Sequence, residues 1–180
     1  MKDRSVFQSA TLTDVAMCVN HYRLSTPGLF VCVHVGVALD DGFRVVPGLV
    51  AQVNSGRFKQ CELGRGECFQ GAPNFVFDVF GVDERDVYEE RRGRFEQAGG
   101  IEYVAWFDEA PRPVWNRRVD GRFVEVSDDG GGMIKSAALP GLWVPLVALE
   151  ERDWWGVMAR ISQGVTRRGH RDFMATIWKN

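Results

Sequence analysis

GAPNFVFDVFGVDERDVYEERRGRFEQAGGIEYVAW, residues 71–106, decides the fold. Its first apolar run, Phe75 to Phe80, is aromatic and β-branched apart from Asp78, a pattern that predicts a strand covered on both faces. Alternation puts Val76, Asp78 and Phe80 on one face and Phe75, Phe77 and Val79 on the other. Asp78 therefore points into an interior, where a carboxylate is costly unless a cation, a metal or several hydrogen-bond donors meet it.

A helix is expected over 83–97. Tyr88, Arg91 and Phe95 fall at i, i+3 and i+7, on one face of it. Arg91 thus belongs to the face that packs on the sheet, as a neighbour for Asp78, whereas Glu89, Arg92, Arg94 and Glu96 are expected in solvent. Gly99-Gly100 ends the helix and IEYVAW begins a second strand. The short strand–helix–strand unit implies a parallel, right-handed crossover.

GAPNFVFDVF, the arginine thirteen residues after Asp78, and FEQAGGIEYVAW together resemble the Uma-type restriction endonuclease family of the PD-(D/E)XK nuclease superfamily. The resemblance extends to STPG at Ser25–Gly28, VPGL around Pro47-Gly48, GRFVEV, SAALPGLWV, and QGV and HRDF near the end. It covers most of the chain from about Tyr22 onwards. It implies a restriction-endonuclease-like fold, Mg²⁺-dependent hydrolysis of DNA phosphodiesters, DNA as partner, and catalytic roles at Asp78 and Arg91, with Asp78 as metal ligand. Family members also carry a longer N-terminal region, so residues 1–21 are expected to be a shortened or divergent part.

Three positions depart from the family pattern. Pro47-Gly48 stands where the family has proline–aspartate, Asp78 where it has glutamate, and Arg91 where it has lysine. In such a nuclease Mg²⁺ between acidic side chains polarises the phosphate and activates water. Mg²⁺ demands near-octahedral oxygen ligands at about 2.0–2.1 Å. Shortening glutamate to aspartate is recoverable by a backbone shift, but a carboxylate missing at Gly48 is not. Arginine stabilises phosphate charge yet cannot serve as a base. A mutual ion pair of Asp78 and Arg91 is the economical reading, and a weak Mg²⁺ site on Asp78 the alternative.

The 180 residues suit one domain with a proper core, and 45% hydrophobic with 26% charged residues is ordinary for a globular chain. A net charge of −2 argues against broad nucleic-acid binding without excluding a local basic groove. Arginines outnumber lysines eighteen to four, which suits bidentate phosphate contact. Cys18, Cys32, Cys61 and Cys68 show neither a C-x-x-C pair nor zinc spacing with the three histidines. No signal peptide or membrane-length apolar run is present, so a cytoplasmic location is expected.

Outside the central unit, a helix is expected over 11–22, capped by Thr11 or Thr13, and a single strand over 30–39 with His34 in the core. A strand over 44–53 is interrupted at Pro47-Gly48, with Gln52 at its surface end. Residues 54–70 read as a loop with room for one short strand, bearing Arg57, Lys59 and Arg65, suited either to a phosphate backbone or simply to solvent. Asp120-Gly121 marks a hairpin, and Arg112, Arg117, Arg118 and Arg122 interleave with Trp115 and Phe123 as a DNA-facing patch or a solvated face. Helices are expected over 147–180, with Trp154, Trp155, Val157, Met158 and Ile161 on one apolar face and a second helix over 172–178. Arg167, Arg168 and Arg171 form a small basic knot there.

The sequence thus reads as one α/β domain, an α+β mixed sheet with a parallel heart, spanning 1–180. The competing functions are a metal-dependent endonuclease and a non-catalytic DNA- or protein-binding module on the same scaffold, with a homodimer as a further partner class. No glycine-rich phosphate loop and no Ser-His or Cys-His spacing supports a small-molecule enzyme.

Overall fold

The computed structural model describes residues 5–40, 42–64 and 68–177. Helix α1 (Val6–Leu24) leads into strands β1 (Leu29–Val33), β2 (Gly36–Ala38), β3 (Arg44–Val45) and β4 (Leu49–Val53). A 3₁₀ turn at Gly56–Phe58 precedes β5 (Glu62–Leu63) and β6 (Cys68–Gln70). The central unit is β7 (Phe75–Phe80), α2 (Arg85–Gln97) and β8 (Glu102–Phe107). Then come β9 (Val114–Val119), β10 (Arg122–Glu125), β11 (Met133–Lys135) and β12 (Trp143–Pro145). Three helices close the described chain: α3 (Leu146–Glu150), α4 (Trp154–Val165) and α5 (Arg168–Ile177).

Six strands form the main sheet in the order β1-β4-β7-β8-β9-β10, and only the β7–β8 pair is parallel. All six residues of β7 are buried because both faces are covered. Phe75, Phe77 and Val79 join a core with α1, α4, α5 and the β11–β12 pair. Val76 and Phe80 join a second core with Tyr88 and Phe95 of α2 and the small sheet β3-β2-β6-β5. Alternation along β7 therefore divides two cores, and each buried aromatic or branched side chain contributes roughly 1.5–3 kcal/mol. The β9–β10 hairpin turns at Asp120 (φ 49°) and Gly121 (φ 86°), two successive left-handed positions that fit the Asp-Gly turn.

The structure corrects several expectations. Helix α1 starts a turn and a half before Thr11, because Ser5 and Gln8 form a reciprocal capping box; Thr11 lies buried inside it. The strand expected over 30–39 is two strands in different sheets, broken at His34, whose φ is 52°. His34 is consequently exposed and not a core residue. Gln52 is 1% exposed: its amide donates to the Val53 carbonyl, and its carbonyl accepts from the Asn74 N–H. Among the described residues of 54–70 there are two short strands, one more than expected, and a 3₁₀ turn, and Arg65 lies outside the described residues. Trp155 is 81% exposed, since adjacent helical residues diverge by about 100° and cannot share a face with Trp154. Helix α5 begins at Arg168, and Trp178 lies outside the described residues. No helix among the described residues is long and apolar enough to cross a membrane. The four cysteines are unpaired, and burial pushes the Cys18 and Cys61 thiols up to about 12.

Helix α5 is tied to α1 by His170, whose Nε2 lies 3.0 Å from the Thr26 hydroxyl and whose ring meets Tyr22 edge-on. Burial holds the His170 pKa below the ordinary 6.5, outweighing a hydrogen bond with Val165. An unfolded chain then binds a proton here before the folded one does, so stability is full above about pH 6.5 and falls as pH drops through the depressed folded value. Urea melts at pH 7.5 and 5 are expected to show this loss, with a shallower pH slope in His170→Gln.

Candidate functional site

Asp78 sits at the middle of β7, paired with Ala105 of β8 and one step beyond the Leu49–Phe77 pair, opposite Gly48. Its side chain is 1% exposed and points to the core shared with α2. Helix α2 docks there because Tyr88 and Phe95 are buried one turn to either side of Arg91. Tyr103 enters from β8 on the same face as Asp78, two residues before Ala105, and stacks on Phe95 with centroids 5.4 Å apart.

Three donors converge on the carboxylate. The Gly48 backbone N–H donates to Oδ1 at 2.7 Å. Arg91 Nη1 donates to Oδ2 at 3.1 Å and the Tyr103 hydroxyl to the same oxygen at 3.0 Å. Burial, and then the charge of Asp78, raise the Tyr103 pKa well above the ordinary 10, so the phenol stays protonated and remains a donor. The Arg91 guanidinium also lies 5.7 Å from the Phe80 ring centroid and its side chain is 24% exposed. Asp78 and Arg91 therefore meet as their spacing indicates, while Gly48 and Tyr103 are partners that the sequence reading missed. The signal for Tyr103 was its shared parity with Asp78's strand neighbour Ala105; the Gly48 N–H needed the β4–β7 register.

This donor set does not suit Mg²⁺. One carboxylate is present, both its oxygens already accept N–H or O–H donors, and a guanidinium occupies the direction a cation would take. Position 48 has no side chain to contribute, and Gln52 is engaged within the sheet. Among the described residues no three His, Cys, Asp or Glu side chains gather in a way that could hold a metal.

The remaining sequence candidates are dispersed. Arg92 and Glu96, expected in solvent, are tied to the β9–β10 hairpin: Arg92 donates to Asn116 Oδ1 and the Phe123 carbonyl, and Glu96 accepts from the Phe123 N–H. Arg94 lies over the Phe43 ring at 4.9 Å. Arg117 pairs with Glu102 at 3.0 Å, Arg118 donates to the Glu96 carbonyl, and Arg112 stands 3.7 Å from Glu150. Trp115 and Phe123 face the two cores. Arg167 covers Trp143, Arg168 pairs with Asp172, and Lys59 with Glu62. A second buried carboxylate escaped the sequence reading. Glu102, 1% exposed, accepts from Arg117, Ser136 Oγ and the Ala137 and Ala138 N–H groups.

No protein-family model matches the sequence, and no curated protein matches it. Among solved structures, the chain is similar to one described as "a putative nuclease belonging to DUF820" from Anabaena variabilis ATCC 29413. The identity is 12%, the TM-score 0.66, and the likeness covers 85% of this chain and 84% of that one. Twelve per cent identity speaks for architecture and not for activity. The mixed sheet with its parallel β7–β8 heart and flanking helices has the restriction-endonuclease-like fold.

Proposed function

We propose that this chain is a nuclease-scaffold protein whose centre holds an ion pair in place of a metal, leaving a non-catalytic DNA- or protein-binding module. The observation that carries this reading is the engagement of both Asp78 oxygens by Gly48, Arg91 and Tyr103. A cation that approaches either oxygen meets a donor already in place, and the guanidinium repels that cation at close range.

The competing reading, metal-dependent hydrolysis of DNA, draws on the nuclease description of the solved neighbour and on the meeting of Asp78 and Arg91. Supercoiled plasmid with Mg²⁺ or Mn²⁺ separates the two. The native chain and Asp78→Ala are expected to leave the plasmid intact. Nicking by the native chain that disappears in Asp78→Ala would overturn the proposal. Gly48→Asp tests the scaffold separately: nicking gained there would mean that one lost ligand accounts for the inactivity. For the binding function, DNA retention that weakens steeply with salt is expected if phosphate contacts carry it.

A further inference from the structure

We infer that β1 is the seam of a two-fold homodimer in which the six-stranded sheet continues into a second copy. The two edges of the main sheet are β1 and β10. Edge strands are ordinarily guarded by charges, proline or bulges. Strand β10 is so guarded, with Arg122 and Glu125 at its ends. Strand β1 reads LFVCV, with no charge and no proline, and Phe30 and Val33 are each 49% exposed.

The outward hydrogen-bonding groups of β1 are self-complementary about one residue, and the uncharged strand offers nothing to repel its own copy, so we take a second copy as occupant. His34 N–H donates to the Gly48 carbonyl and Asn54 N–H to the Gly28 carbonyl, in register with the β1–β4 ladder. Even-numbered residues of β1 therefore bond inward to β4, and the backbone groups of Val31 and Val33 and the Leu29 carbonyl face outward. Among the described residues, Val31 and Val33 have no backbone partner on that side. This outward set is centred on Val31. A two-fold axis there pairs Val31 with Val31 of the second copy in two reciprocal bonds, and each Val33 N–H reaches the other copy's Leu29 carbonyl. No like charges oppose each other at any pair, as antiparallel self-pairing requires. Beside the seam, Ser9, Leu12, Thr13 and Ala16 of α1 line a groove with Val33 and His34. The chain leaves the edge at His34, which ends the seam after five residues.

This register places Phe30 opposite Cys32 of the second copy in a non-hydrogen-bonded pair. Cα atoms in such pairs are about 4.5 Å apart, within the range of a disulfide. Sedimentation or light scattering across a dilution series is expected to show twice the 20.3 kDa chain mass. Val31→Pro, which removes an outward N–H and no β1–β4 hydrogen bond, and Phe30→Glu, which puts charge into the seam, are each expected to give monomers. Phe30→Cys, made with Cys68→Ser, is expected to give a covalent dimer through native Cys32 under mild oxidation, and Val33→Cys is not. A native chain that stays monomeric, or a dimer that survives both Val31→Pro and Phe30→Glu, would overturn the inference. Monomers that instead bind an extended peptide along β1 would overturn the choice of a second copy. None of these readouts depends on nuclease activity.

Discussion

Arg91→Met is expected to lower stability by about 3 kcal/mol, the lower end of the roughly 3–5 kcal/mol lost when one partner of a buried ion pair is removed. Asp78 is 1% exposed and cannot recover water, whereas Arg91 is 24% exposed, and the Gly48 N–H and Tyr103 hydroxyl remain to share the load. In a chain of this length that is a fall in Tm of about 6–12 °C. Asp78→Leu alone strands three donors and should cost as much, yet the double change Asp78→Leu with Arg91→Met should cost less than the sum of the two. Chemical denaturation of the four proteins measures this coupling, with about 2–3 kcal/mol expected. A loss below about 1 kcal/mol for Arg91→Met would show that the pair is not structural and would reopen a functional role for the guanidinium.

Much of this centre was legible in the sequence because its determinants are local. Alternation along FVFDVF fixed the face of Asp78, and the offsets of Tyr88, Arg91 and Phe95 fixed the face of Arg91. Both periodicities survive into the fold since the Asp78 face of β7 and the inner face of α2 meet in the same core. What failed was non-local. His34 sits in an unbroken run of alternating valines, so no periodicity reveals that the chain changes sheets there; the break comes from the small sheet claiming β2. Gln52 looked like a strand end because the Asn74 backbone that buries it is 22 residues away. The arginines of the β9–β10 hairpin resembled a solvent or DNA face, but α2 and Glu102 engage two of them, Arg118 through the Glu96 carbonyl and Arg117 through the Glu102 carboxylate. A contact formed by two distant segments leaves no periodic trace in either.

Glu102 is the strongest case of such a contact, and its removal is expected to have a comparable effect. Its partners lie 15 residues away at Arg117 and 34 to 36 residues away at Ser136, Ala137 and Ala138. Ser136 Oγ in turn accepts from the Leu139 N–H at 2.9 Å, so one carboxylate holds the whole turn that delivers Leu139 and Leu142 to the core. Glu102→Leu leaves a guanidinium, a hydroxyl and two backbone N–H groups without their acceptor, and a loss of roughly 3–5 kcal/mol is expected. Glu102→Gln keeps the shape but turns an amide NH₂ toward donors, and should recover only part of it. Hydrogen exchange distinguishes this lesion from that at Arg91. Glu102→Gln should speed exchange at Ala137, Ala138 and Leu139 while β7 stays protected, because the opened unit is the turn and not the sheet. Unchanged protection at these amides would mean that the packing of Leu139 and Leu142 holds the turn by itself, with the buried carboxylate serving only to neutralise Arg117.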